Sequence, residues 1–128
     1  MKEYLNTELA PAAVGPYSQG IRFESLVFTS GQLPIDPKTG EMPESVEEQT
    51  RQSLKNVEAI LKEAGSDLNN IIKTTVFMTD LAYFGNMNEV YAEFFEEGAL
   101  PTRSCFQVAK LPKDAKVEIE VVASIKED

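Results

Sequence analysis

Between Ser45 and Gly65 runs the pattern that most restricts the folds open to this chain. Val46, Leu54, Val57, Ile60, Leu61 and Ala64 recur at helical spacing and so share one face of an amphipathic helix. Ser45 followed by Glu48 has the spacing of a capping box, and Gly65 stands where a left-handed C-cap belongs. These end signals predict a helix over 46–64 whose apolar stripe must be buried against a second layer.

The flanking segments supply that layer. Residues 19–23 and 26–29 have the composition of short strands, with Glu24-Ser25 as a tight turn. Pro34, Pro37 and Gly40 punctuate a loop. Residues 71–79, rich in Ile, Thr, Val and Phe, suit a half-buried strand. A second helix is expected over 82–96, with Phe84, Met87, Val90, Tyr91, Phe94 and Phe95 on its apolar face; Gly98 and Pro101 block its continuation. Strands are expected at 103–109 and 116–125. In the latter, Val117, Ile119, Val121, Ala123 and Ile125 alternate with Glu118, Glu120, Val122 and Ser124. The order implies an α+β plan, a mixed sheet with both helices on one face. With 128 residues and 42% hydrophobic content, one domain over 1–128 is expected. The sheet face away from the helices would carry Glu118, Glu120 and Val122, with Arg103 a further candidate. A face of that mixed character suits burial between subunits.

The chain contains no histidine, which removes Ser-His-Asp and Cys-His catalysis and the commonest zinc ligand. One cysteine, Cys105, forms neither an internal disulfide nor a thiolate cluster and fits a reducing compartment such as the cytoplasm. No metal site is expected. Acid–base work must fall to Glu, Asp, Tyr, Lys, Cys or water. A net charge of −9 with scattered Lys and Arg argues against nucleic-acid binding, which draws on clustered positive charge. The apolar runs are too short to span a bilayer, and no secretory signal is expected at the N-terminus.

Arg103 and Cys105 lie two apart on one expected strand and so point the same way, as do Glu118 and Glu120 on the last. If residues 110–115 return the chain antiparallel, these two strands become neighbours. An arginine fork suits a carboxylate, and a nearby glutamate can hold or deprotonate water. Taken alone, the residues favour a plainer reading, a cross-strand ion pair on a solvated face. Cys105 reads as a small packing residue rather than a nucleophile. Tyr17 sits in a stiff loop, Ala10-Pro-Ala-Ala-Val-Gly-Pro-Tyr-Ser-Gln-Gly20, and either presents its hydroxyl or fills a groove. Ser30-Gly31 ends a strand where a ligand could approach bare backbone, although an ordinary strand terminus is the plainer reading. Asn88 falls on the polar side of the second helix, where solvation accounts for it.

In combination these segments resemble the RidA/YjgF family. The likeness lies in the 10–20 loop, in Phe28-Thr-Ser-Gly-Gln-Leu-Pro34, and in Gln52-Ser-Leu-Lys-Asn-Val-Glu-Ala-Ile-Leu61. It continues through Lys73-Thr-Thr-Val-Phe-Met-Thr-Asp80, Pro101-Thr-Arg-Ser-Cys-Phe-Gln-Val-Ala-Lys-Leu-Pro112 and Val117-Glu-Ile-Glu120. The resemblance implies a chorismate-mutase-like fold, a homotrimer whose sheets form a central barrel, and ligand clefts between subunits. It implies hydrolysis of 2-imino acids, released by pyridoxal-phosphate enzymes, to 2-keto acids and ammonia, without metal or cofactor. It assigns Arg103 to the substrate carboxylate, Glu118 to the attacking water, Tyr17 to the catalytic set beside them, and Ser30, Gly31, Asn88 and Cys105 to the substrate-binding pocket. The segment from Glu96 to Pro101 is slightly shorter than in some relatives, which bears on substrate breadth. Endoribonuclease or translation-inhibitor activity, ligand sensing and a chaperone-like role are the alternatives that the resemblance leaves open.

Overall fold

The computed structural model describes residues 1–126. Eight main elements follow in order: β1 (Lys2–Leu5), β2 (Gly20–Phe23), β3 (Leu26–Thr29), α1 (Val46–Glu63), β4 (Ile71–Met78), α2 (Phe84–Glu93), β5 (Thr102–Gln107) and β6 (Val117–Ser124). The strands form one sheet in the order β1-β2-β3-β6-β4-β5. Neighbours are antiparallel except β4 and β5, which run parallel and are joined by the α2 crossover.

α1 begins and ends where its sequence signals fall. Ser45 Oγ accepts from the Glu48 backbone N–H at 3.1 Å, satisfying one free donor of the first turn. The Glu48 carboxylate does not complete the capping box but pairs with Arg51 at 3.2 Å. At the far end Gly65 takes φ +81°, a conformation that costs a side-chain-bearing residue dearly, and Ser66 N–H closes on Leu61 O at 2.8 Å. Leu54, Val57, Ile60 and Leu61 are wholly buried, each contributing about 1.5–3 kcal/mol. They pack with Val76 and Met78 of β4, Val117, Ile119, Val121 and Ala123 of β6, and Met87 and Tyr91 of α2.

α1 also carries buried polar side chains within its inward face. Asn56 Nδ2 donates to Leu33 O at 3.0 Å and Ile35 O at 2.9 Å, and Gln49 Nε2 donates to Pro43 O at 2.8 Å. Gln49 Oε1 accepts from Lys116 N–H at 2.8 Å. These bonds fasten the 33–44 loop to the helix and satisfy carbonyls that burial would otherwise leave costly.

Three sequence expectations change, and one strand is added. α2 is shorter than 82–96, because Asp80 caps a separate 3-10 turn over Leu81–Tyr83 and the helix stops at Glu93. Phe94 and Phe95 still pack inward from the turn beyond, which is why they continued the periodic pattern. β1 is an edge strand that four mixed residues did not announce. β5 and β6 are not hairpin partners, since β4 lies between them and pairs with β6 along almost its whole length. Arg103 does not lie on the open face with Glu118. Its register partner Thr74 is buried under α2, where Thr74 Oγ1 and Tyr91 Oη sit 2.8 Å apart. Among the described residues no helix is long and apolar enough to cross a membrane.

Candidate active site

The residues singled out in the sequence separate into two half-sites on opposite faces of the sheet. On the open face, Glu118 projects between inward-facing Val117 and Ile119. It borders a cleft of about 790 Å³ whose lining includes Tyr17, Ser30, Gly31 and Glu120. Gln32 exchanges backbone hydrogen bonds with Ile119, at 2.7 and 3.2 Å, and this bridge lays Gly31 against the Glu118 side chain. A Cβ at residue 31 would stand 2.8 Å from Glu118 Cδ. Gly31 is therefore the seat of the carboxyl group, a role beyond mere backbone access. Burial, reinforced by the neighbouring Glu120 charge, pushes the Glu118 carboxyl above the ordinary carboxylate range.

The N-terminal wall of the cleft is held by Gln19, a residue that sequence reasoning passed over. Its side chain accepts from Thr7 N–H at 2.7 Å and donates to Thr7 O at 3.1 Å and Pro11 O at 2.8 Å. A glutamine next to a strand glycine gave no sequence signal for this latch. Ser30 Oγ donates to Ser18 O at 2.6 Å, so its hydroxyl proton is committed to the same wall. Tyr17 is half exposed, and its hydroxyl accepts from Val14 N–H at 3.3 Å, which orients the ring along the cleft.

The second half-site lies under α2. Arg103 donates from Nη1 to Asn88 Oδ1 at 2.7 Å. Its guanidinium carbon lies 4.8 Å from the Tyr91 ring centroid and 5.3 Å from that of Phe84. Asn88 is thus the hydrogen-bond partner of the arginine rather than a solvated helix residue. Among the described residues Arg103 has no carboxylate within salt-bridge distance, although an arginine carries five N–H donors. The guanidinium is therefore held in place with donors left over for a further acceptor. Cys105 follows on the same side, beside Val76. Burial pushes its thiol up and Arg103 offsets this only in part, so it is not an activated nucleophile. Among the described residues no three His, Cys, Asp or Glu side chains gather as a metal site would require.

The family model described as Endoribonuclease L-PSP matches residues 7–125. The chain belongs to this family, RidA/YjgF. A 2-iminobutanoate/2-iminopropanoate deaminase of Salmonella typhimurium is 53% identical over 125 residues, covering 96% of this chain and 98% of the relative. The crystal structure of Escherichia coli TdcF with bound serine superposes with a TM-score of 0.93 at 53% identity, covering 97% of this chain and 99% of that one. The Escherichia coli YjgF gene product gives the same TM-score at 49% identity, with the same coverage of both chains. The mixed six-stranded sheet with two helices is therefore the RidA fold.

Proposed function

We propose that this protein is a 2-iminobutanoate/2-iminopropanoate deaminase, hydrolysing reactive 2-imino acids to 2-keto acids and ammonia in the cytoplasm as a single RidA-like domain over 1–128. The observation that carries this reading is the division of the site into an arginine without an anionic partner among the described residues and a desolvated glutamate. Together they supply an anion clamp and a water holder. Because the sheet separates them within one protomer, the working site joins Arg103 of one subunit to Glu118 of a neighbour in a homotrimer. The open face supports such assembly: Phe28 is 42% and Phe106 53% exposed there, more apolar surface than a solvated sheet face normally shows.

In this site the substrate carboxylate takes the free in-plane donors of Arg103, which fixes the imine carbon. Glu118 accepts a proton from water as the oxygen attacks that carbon. The resulting carbinolamine collapses to the ketone: Glu118 returns the proton to the nitrogen, the C–N bond breaks, and the hydroxyl proton leaves with the nitrogen, so that ammonia departs as ammonium. A carboxyl group held above its ordinary range by burial suits both halves of that transfer. A protonated imine is already electrophilic, so positioning can supply much of the acceleration, up to ~7–11 kcal/mol in ideal geometry. Tyr17, Ser30 and Gly31 complete the water side of the pocket, and Asn88 and Cys105 the carboxylate side. No metal or cofactor enters these steps.

The family description as an endoribonuclease finds no support at this site. The charged residues lining the cleft are Asp36, Glu118 and Glu120 against Lys113 alone, which would repel a polyanion. The test is to couple a threonine dehydratase reaction to this protein and follow decay of the released imine. Acceleration at catalytic enzyme concentrations is expected, and decay unchanged from the uncatalysed rate would overturn the reading.

A further inference from the structure

The protein carries a net charge of −9, and three of the four charged residues lining the Glu118 cleft are acidic. An anionic substrate approaching this cleft is repelled both at long range and locally. The fourth charged residue is Lys113, which makes no salt bridge among the described residues, although its neighbours Lys110 and Asp114 pair at 3.4 Å.

Lys113 is held in an unusual way. It has φ 58° and ψ 24°, and Asp114 follows at φ 57°. Two consecutive side-chain-bearing residues in the left-handed region are disfavoured and persist only where their surroundings fix them. Here buried Leu111 and Ala115 anchor the turn at both ends, Pro112 restricts its entry, and Asp114 N–H and Ala115 N–H each close back at 3.2 Å, onto Leu111 O and Pro112 O. The strained turn holds the root of Lys113 at the cleft and leaves its ammonium unpaired.

We propose that Lys113 is a specificity-determining residue that draws the carboxylate of a small 2-keto or 2-imino acid into the Glu118 cleft, ahead of its capture by Arg103. The proposal rests on the deaminase reading. It adds a second cation, on the same protomer as the water-holding glutamate, that acts on encounter and not on the chemical step. Such a charge is felt only across about a Debye length, ~10 Å at 0.1 M salt, so its effect must fade as salt rises.

The experiment compares wild type with Lys113→Met, Lys113→Glu and Lys113→Gly at low and high ionic strength. It measures calorimetric binding of 2-oxobutanoate and the kcat and KM of imine hydrolysis. At low ionic strength Lys113→Met should weaken binding about fivefold and Lys113→Glu on the order of twentyfold, as one charge at several ångströms permits. Both losses should shrink toward nothing at high ionic strength, with kcat unchanged throughout. Lys113→Gly removes the charge but fits the left-handed backbone, so it should bind as weakly as the Met variant while melting no lower than wild type. A purely structural lysine would give the reverse, with the Gly variant binding normally. Binding by the Met and Glu variants equal to wild type at low ionic strength overturns the proposal, as does a loss that salt does not relieve. If wild type binds 2-oxobutanoate in the predicted salt-dependent way but does not hydrolyse imine, the deaminase reading fails and the attraction stands. If it hydrolyses imine and the Lys113 variants are indistinguishable from it, the attraction alone fails.

Discussion

Arg103→Lys is expected to lower kcat/KM for imine hydrolysis on the order of a hundredfold, nearly as far as Arg103→Ala. Arg103 is fixed by Asn88 and by the rings of Phe84 and Tyr91, so its remaining donors face a defined direction. A carboxylate gripped by parallel N–H groups is held in plane, whereas lysine offers a mobile point charge that neither stacks in the same way nor fills the fork. A misplacement of about 1 Å is enough to produce a loss of that size. The opposing picture, an arginine that only packs beside Asn88, Phe84 and Tyr91 and binds no anion, predicts turnover near wild type in both variants. Steady-state rates of the two variants, each first checked for assembly and fold, separate the pictures. Wild-type turnover by the Lys variant would remove orientation from the mechanism.

Glu118→Gln should cost about 10²–10⁴ in kcat while making the protein more stable at neutral pH. The gain follows from the raised carboxyl. The fold disfavours the charged form, so the stability associated with this group is complete below the ordinary carboxylate range and is lost as pH rises through the raised value. Glutamine remains neutral at every pH and escapes that loss. The melting temperature of the variant should therefore exceed that of wild type at pH 7 and converge with it under acid conditions. In wild type the acid limb of kcat/KM should lie above the ordinary carboxylate range, and the variant should lack it. A variant that melts below wild type at pH 7 would show that the Glu118 charge stabilises the fold, contrary to its desolvated seat.

How far the site could be read from the residues depended on which relationships are local. The ends of α1 were legible because a cap is a contact between neighbours in sequence, as Ser45 with Glu48 and the Gly65 turn show. Which strands lie side by side was not. The spacing of β5 and β6 is equally compatible with a hairpin and with a crossover, and only the long pairing of β4 with β6 excludes the former. Side-chain parity told that Arg103 and Cys105 share a face, but not which face, because a strand's register against its neighbour is a tertiary fact. The seat that Gly31 gives Glu118 is likewise a long-range fit, brought about by the bridge between Gln32 and Ile119. The tie of α1 to the 33–44 loop does have a signal in the sequence. Gln49 and Asn56, seven apart, place amides on the buried stripe of a helix, where an amide needs partners.

The central claim is that catalysis needs Arg103 from one subunit and Glu118 from another. Complementation measures this directly. Arg103→Ala and Glu118→Gln chains, each strongly impaired alone, are unfolded, mixed in equal amounts, refolded together and assayed for imine hydrolysis. A site shared between neighbours in a closed trimer finds an intact arginine beside an intact glutamate in about a quarter of random interfaces, so about a quarter of wild-type activity should return. A site contained within one chain would recover none, and a mixed sample as inactive as its two parents would contradict the account.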